Sequence, residues 1–306
     1  MSVMESYPDN LDYVLVMAKK STFWKLLIGL TAVLSAIYAF SSTYLWARQA
    51  HFIFSPERSI VKTPAEYELP FEDVYVSVNS GNGKKERIHA WWIPAEYSSS
   101  RYLLYFHGSA LNIGANITHA RRFHQMGFSV LLVSYRGYGK SDGTFPSEAQ
   151  IYLDAQAGWS YLVEQKGIDP GSIFIYGHSL GAAVAIQLAV DHPGAGGLIV
   201  EAAFTSIADM ARRMPQYRIF PIELIVHQRF DSIKKVSRLQ VPVLYIHGTK
   251  DKFVPPAMSR ELYKRTASSK QLKLIEGGGH NNSAAVGGAE YLQAVRNFID
   301  FVRKAG

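Results

Sequence analysis

The chain has 306 residues, with 32 Lys and Arg against 25 Asp and Glu for a formal charge of +7. Hydrophobic residues make up 48% and charged residues 19%, too apolar for a disordered chain and long enough to bury a core without staples. Cysteine is absent, which excludes disulfides, thiolate zinc sites, iron–sulfur centres and a cysteine nucleophile.

From Leu26 to Ala47 no residue carries a charge, and Lys25 and Arg48 close the two ends. A helix needs about 20 such residues to cross a bilayer core. Trp24, Tyr44 and Trp46 stand near the ends, where amphipathic rings prefer the interface. The segment is expected to be a transmembrane helix over 26–47. A cleaved signal peptide is the competing reading, with a tolerable cleavage site at Ala39-Phe40-Ser41, although the lead of residues 1–25 is long for one. Lys19, Lys20 and Lys25 precede the segment closely, whereas Arg48 alone follows it closely. The positive-inside rule then puts residues 1–25 in the cytoplasm and the remainder on the non-cytoplasmic side. Residues 48–70 carry three prolines and no clear period, and read as a connector to a domain over 71–306.

Val74–Val78 and Ile88–Trp92, joined by the turn-rich Asn79–Lys85, predict a hairpin. Apolar runs follow at 102–106, 129–134, 172–176, 197–201, 243–247 and 271–275, mostly separated by helical stretches. One helix is marked at its start by Ser147-x-x-Gln150, a capping-box pattern after Pro146. Ile151, Ala155, Trp159 and Leu162 then share one face, and Gly167 ends the helix. Continuous apolar strands alternating with helices predict an α/β fold with a mostly parallel central sheet covered on both faces. Such sheets hold ligands at the carboxyl ends of their strands.

After the run SIFIY come Gly177-His178-Ser179-Leu180-Gly181 and a helical AAVAIQLAV. G-x-S-x-G between a strand and a helix is the context in which its serine becomes a nucleophile. A serine hydroxyl needs a base, and the base an orienting acid. Asp251 follows the run VLYIH, and His280 follows KLIEGGG, each in a loop just after a strand. Ser179, Asp251 and His280 therefore form the candidate triad, with Glu201, at the end of its own run, as the competing acid. Backbone N–H groups of Leu180 and of Ser109, in the loop after YLLYF, are the candidate oxyanion donors.

The glycines in Tyr135-Arg136-Gly137-Tyr138-Gly139 invite a nucleotide-loop reading, but position 142 is Asp, so G-x-G-x-x-G is incomplete. The segment is expected to support the site. The histidines show no ligand spacing, so neither a metal nor another cofactor is expected. No basic stripe or recognition motif is present, so no nucleic acid is expected as a partner. Residues 203–240 read as a short cap insertion. Its Arg212, Arg213, Arg218 and Arg229 form either a solvated basic face or a positive mouth for acidic substrates.

The pieces FHGSALNIG at 106–114, SYRGYGKSDGTFPSE at 134–148, GHSLGAAVA at 177–185, VPVLYIHGTKDKFVP at 241–255 and GGGH at 277–280 resemble the alpha/beta-hydrolase superfamily. Within it they are similar to the membrane-anchored bud-emergence-protein-like hydrolases related to the serine aminopeptidase type. The resemblance implies a serine hydrolase acting on an ester, thioester or related acyl bond of a small molecule or lipid, with Ser179, Asp251 and His280 as the triad and Ser109 and Leu180 at the oxyanion. Relatives usually have Asn where Ser109 stands and often Gly where Leu111 stands. The alternative function is a catalytically silent relative acting as a membrane-tethered interaction module.

Overall fold

The uncharged run from Leu26 to Ala47 is part of a longer helix, α1 (Asn10–Ala47), in a computed structural model that describes residues 10–79, 85–96 and 101–305. At 1.5 Å per residue α1 is about 57 Å long, well beyond a hydrocarbon core. The stretch Tyr13–Ala47 is apolar and long enough to cross a membrane, and a signal sequence near an N-terminus has the same properties. Residues 1–9 of the lead lie outside the described residues.

The chain divides into two units, Met1–Arg48 and Gln49–Gly306. Residues 49–70, expected as a connector, belong to the second. They open with α2 (Gln49–Ile53), and the Gln49 side-chain amide donates to the Ile225 carbonyl while its oxygen accepts the His227 and Gln228 N–H groups. Phe54 is 1% exposed and packs edge-on against Phe230. A connector that buries a Phe and a hydrogen-bonded Gln cannot come away without leaving both unsatisfied.

The predicted hairpin forms from β1 (Glu72–Asn79) and β2 (Lys85–Ile93), with its turn at 80–84 outside the described residues. The predicted runs become β3 (Tyr102–Phe106), β4 (Ser129–Val133), β5 (Ile173–His178), β6 (Gly197–Glu201), β7 (Val243–Gly248) and β8 (Lys270–Ile275). They form one eight-stranded sheet in the order β8-β7-β6-β5-β3-β4-β2-β1. The pairs β1–β2 and β2–β4 are antiparallel and all others parallel.

Side chains alternate along each strand, so each run feeds two cores. Leu104 and Phe106 face one core with α4 (Glu148–Ser160) and α5 (Leu180–Asp191). Leu103 and Tyr105 face the other with α3 (Ile117–Gln125) and the C-terminal helix (Ser283–Ala305), which is interrupted at Gly288. Burial on both faces is why these strands read as unbroken apolar runs.

The capping box at Ser147 forms as predicted. The Ser147 N–H donates to Gln150 Oε1 at 2.9 Å and the Gln150 N–H to Ser147 Oγ at 3.4 Å. Ile151, Ala155, Trp159 and Leu162 are all buried. The helix continues through a wider turn at Tyr161–Gln165, and Gly167 takes the positive φ of a helix end. The cap insertion is made of short pieces, among them α6 (Ile207–Arg213) and α7 (Ile222–Ile225), around a small core of Ala208, Ile222 and Val226.

The chain runs from β3 to β4 on one side and from β5 to β6 on the other, so the order reverses between β3 and β5. That reversal opens a crevice at the carboxyl ends of these two strands.

Candidate active site

Ser179 leaves the end of β5 at φ 55°, ψ −118°, a region that residues with a side chain rarely enter. Two contacts hold it there. Its N–H donates to the Glu201 carbonyl at 2.9 Å, and its carbonyl accepts the Ala182 N–H at 3.0 Å. The flanking glycines are required by space. A Cβ on Gly177 would lie 2.0 Å from the Gly181 carbonyl oxygen, and one on Gly181 would lie 2.2 Å from that of Phe106. Strand, turn and following helix thus pack backbone against backbone.

Ser179, His280 and Asp251 come together from three loops. His280 Nε2 is 3.0 Å from Ser179 Oγ, and His280 Nδ1 is 2.7 Å from Asp251 Oδ2. The Asp251 side chain is fully buried and the His280 side chain 17% exposed. Asp251 Oδ1 accepts the N–H groups of Phe253 and Val254, both at 2.9 Å. His247, buried at the end of β7, brings Nε2 within 3.2 Å of Asp251 Oδ2. Burial alone would raise the Asp251 carboxyl. The hydrogen bonds from His247, His280 and the Val254 N–H, with the nearby His280 charge, instead hold it well below the usual carboxylate value.

The competing acid is occupied elsewhere. Glu201 Oε2 accepts the hydroxyls of Tyr176 at 2.9 Å and Tyr291 at 2.8 Å, inside the sheet. The imidazole lies on Asp251.

The Leu180 N–H opens α5, where first-turn N–H groups have no carbonyl within their own helix. The Ser109 N–H belongs to a loop whose carbonyls are tied one after another. The His107 carbonyl accepts the Tyr135 hydroxyl at 2.9 Å, and the Gly108 carbonyl accepts His107 Nδ1–H at 2.7 Å. The Ser109 carbonyl accepts the Ser55 N–H at 2.9 Å and the Tyr138 hydroxyl at 2.6 Å. In a trans peptide the N–H points opposite the carbonyl, so pinning Gly108 also aims the Ser109 N–H. The supporting role expected for 135–139 thus falls on two hydroxyls. Neither Tyr135 nor Tyr138 carries a local sequence signal for it, because their partners lie almost 30 positions away.

His178, inside the elbow, donates Nε2–H to the His280 carbonyl at 2.8 Å. Loss of hydration pushes His178 and His107 down to about 4 from 6.5. Below pH 6.5 the unfolded chain binds a proton at each position, while the native chain does so only near pH 4. Stability from these groups is therefore undiminished above 6.5 and falls with pH, by up to about 3 kcal/mol each. Urea midpoints are expected to decline from about pH 6.5 downward, before the carboxylates titrate. A midpoint constant from pH 7 to 5 would contradict this.

Two of the cap arginines are paired with acids. Arg212 pairs with Asp209 and Glu223, and Arg229 pairs with Glu223 and Asp231. Two of the four charges are neutralised within the cap. Among the described residues no group of three or more His, Asp or Glu side chains is set to hold a metal ion.

Comparison with known proteins agrees with this architecture. The family described as serine aminopeptidase, S33, matches residues 98–228 and 226–282. Protein bem46 of Schizosaccharomyces pombe is 34% identical over 255 residues, covering 79% of this chain and 81% of that protein. The alpha/beta hydrolase domain-containing protein WAV2 of Arabidopsis thaliana is 32% identical over 256 residues, covering 78% and 81%. An esterase of Pyrococcus furiosus has the same fold, with a TM-score of 0.67 at 19% identity over 80% of this chain and 98% of that one. A family model matched over residues 98–228 and 226–282 and a one-third identity covering 79% of the chain have one consequence: the chain belongs to the S33 serine aminopeptidase family of alpha/beta hydrolases.

Proposed function

We propose that the protein is a membrane-tethered serine hydrolase that cleaves an ester, thioester or related acyl bond. The observation that carries this reading is the line of contacts Asp251–His280–Ser179, at 2.7 and 3.0 Å, ending on a strained serine. Ser179 Oγ attacks the acyl carbonyl as His280 Nε2 takes its proton. Asp251 holds the imidazole by Nδ1 and balances the charge that forms on it. The oxyanion faces the N–H groups of Leu180 and Ser109 and the positive end of α5. Collapse expels the alcohol or thiol, which receives the proton from His280. Water then loses a proton to the same nitrogen and attacks the acyl-enzyme, releasing the acid and restoring Ser179.

The tether is read from α1, with the domain on the non-cytoplasmic side because Lys19, Lys20 and Lys25 precede the uncharged run Leu26–Ala47. The test is labelling of the full-length chain with a fluorophosphonate, which reacts quickly only with an activated serine. One label per chain is expected, on the peptide containing Ser179. An unlabelled but folded chain would favour the silent interaction module, and a label on another serine would overturn the assignment.

A further inference from the structure

Leu111, two residues past Ser109, and Phe253, two past Asp251, are each 55% exposed. Core packing explains neither. Leu111 also sits at φ +64°, where the Cβ of an L-residue crowds the following carbonyl and Asn or Asp is the usual non-glycine occupant. The strained turn is held firmly. Pro56 pairs with Leu111 in a two-residue parallel ribbon, and the neighbouring Asn112 amide donates to the Glu57 and Ser59 carbonyls. Strain held in place with little burial in return points to a side chain wanted where it is.

Phe253 packs on the base, and Leu111 follows the Ser109 loop closely along the chain. Leu111 is two residues past Ser109, so their Cα atoms lie at most about 7 Å apart. Gly108 stands against the nucleophile, for a Cβ there would be 3.6 Å from the Ser179 Cβ. From the other side the Phe253 ring packs against the His280 imidazole, with centroids 5.0 Å apart and planes at 62°. The Phe253 N–H is bound to Asp251 Oδ1, so the residue that orients the imidazole also fixes this ring.

We propose that Leu111 and Phe253 form the contact surface for an apolar acyl chain, and that the substrate class is an ester of a medium- or long-chain fatty acid. The proposal rests on the serine-hydrolase reading above and names its substrate. An extended acyl chain gives up its hydration against both side chains, and a short acyl group reaches neither.

The test uses the full-length chain in detergent with p-nitrophenyl acetate and octanoate, read as the ratio of their kcat/KM values. The ratio is expected to favour octanoate at least about tenfold, and to fall about tenfold in both Leu111→Asn and Phe253→Ala. Asn tolerates the positive φ, so Leu111→Asn should keep the wild-type Tm. Phe253→Ala probes the same surface without touching the strained turn, and decides the matter if the other variant misfolds. A wild-type preference for acetate, or an unchanged ratio in the folded variants, would overturn the inference. Ser179 labelling with a flat chain-length profile removes this inference alone. Absence of labelling and of turnover on both esters removes the hydrolase reading and this inference with it.

Discussion

Ser179→Ala is expected to lower kcat on an activated ester by about 10⁴-fold or more, because the nucleophile, base and acid act as one unit. Binding and the N–H donors of Leu180 and Ser109 remain, and they leave a residual rate well above that of water. The fold should be untouched, since among the described residues the lost hydroxyl bonds only to His280 Nε2. A companion variant makes the argument sharper. Ser179 sits at φ 55°, ψ −118°, a conformation that costs a residue with a Cβ about 1–3 kcal/mol and glycine almost nothing. Ser179→Gly should therefore lose turnover as fully as Ser179→Ala while unfolding at a higher Tm. Near-normal esterase turnover in either folded variant would refute the role given to this serine. A lower Tm for Ser179→Gly than for Ser179→Ala would refute the strain.

Asp154→Ala is expected to cost about 3–5 kcal/mol of stability, the usual result of stripping one partner from a buried ion pair. Arg136 is 2% exposed and Asp154 fully buried. Three donors of Arg136 reach the Asp154 carboxylate: Nη2 at 2.6 Å, Nε at 2.9 Å and the backbone N–H at 2.9 Å. Glu86 takes the remaining arm of the guanidinium at 3.0 Å. Removing Asp154 leaves a buried guanidinium with one partner, Glu86, whose side chain is 24% exposed. The Tm should fall on the order of 10 °C for a domain this size. Replacing both partners, as Arg136→Met with Asp154→Leu, should recover much of the loss, because two apolar groups bury without a desolvation penalty. Arg136 lies between Tyr135 and Tyr138, the two hydroxyls that hold the carbonyls of His107 and Ser109. Asp154→Ala should therefore reduce turnover as well, measured below its own melting range. A stability loss under about 1 kcal/mol by urea titration would show that water reaches the pair.

The sequence by itself determined the strand order along the chain, the elbow and the capped helix at Ser147. Each of these is a local pattern. Apolar runs follow from burial on both faces of a sheet, G-x-S-x-G from backbone contact around one tight turn, and the capping box from two residues three positions apart. The pair Ser179 and His280 was legible for the same reason, since loops that leave the carboxyl ends of parallel strands converge on one edge.

Only the tertiary structure decided the rest, because it rests on contacts between distant positions. Glu201 ends one strand of the sheet and Asp251 closely follows another. Only their surroundings separate them: the Glu201 carboxylate is taken up by Tyr176 and Tyr291, while Asp251 lies on the imidazole. Residues 48–70 read as a connector because they carry three prolines and no clear period, and where such a segment packs is not written in it. In the fold the Ser55 N–H holds the Ser109 carbonyl, and Gln49 clasps the cap. Two of the four cap arginines have acids beside them, Arg212 with Asp209 and Glu223 and Arg229 with Glu223 and Asp231, pairings no local pattern shows. Local sequence records what a residue's own strand or helix requires of it. Which of several suitable partners it meets is fixed by how the chain returns through space, and no window of neighbouring residues contains that information.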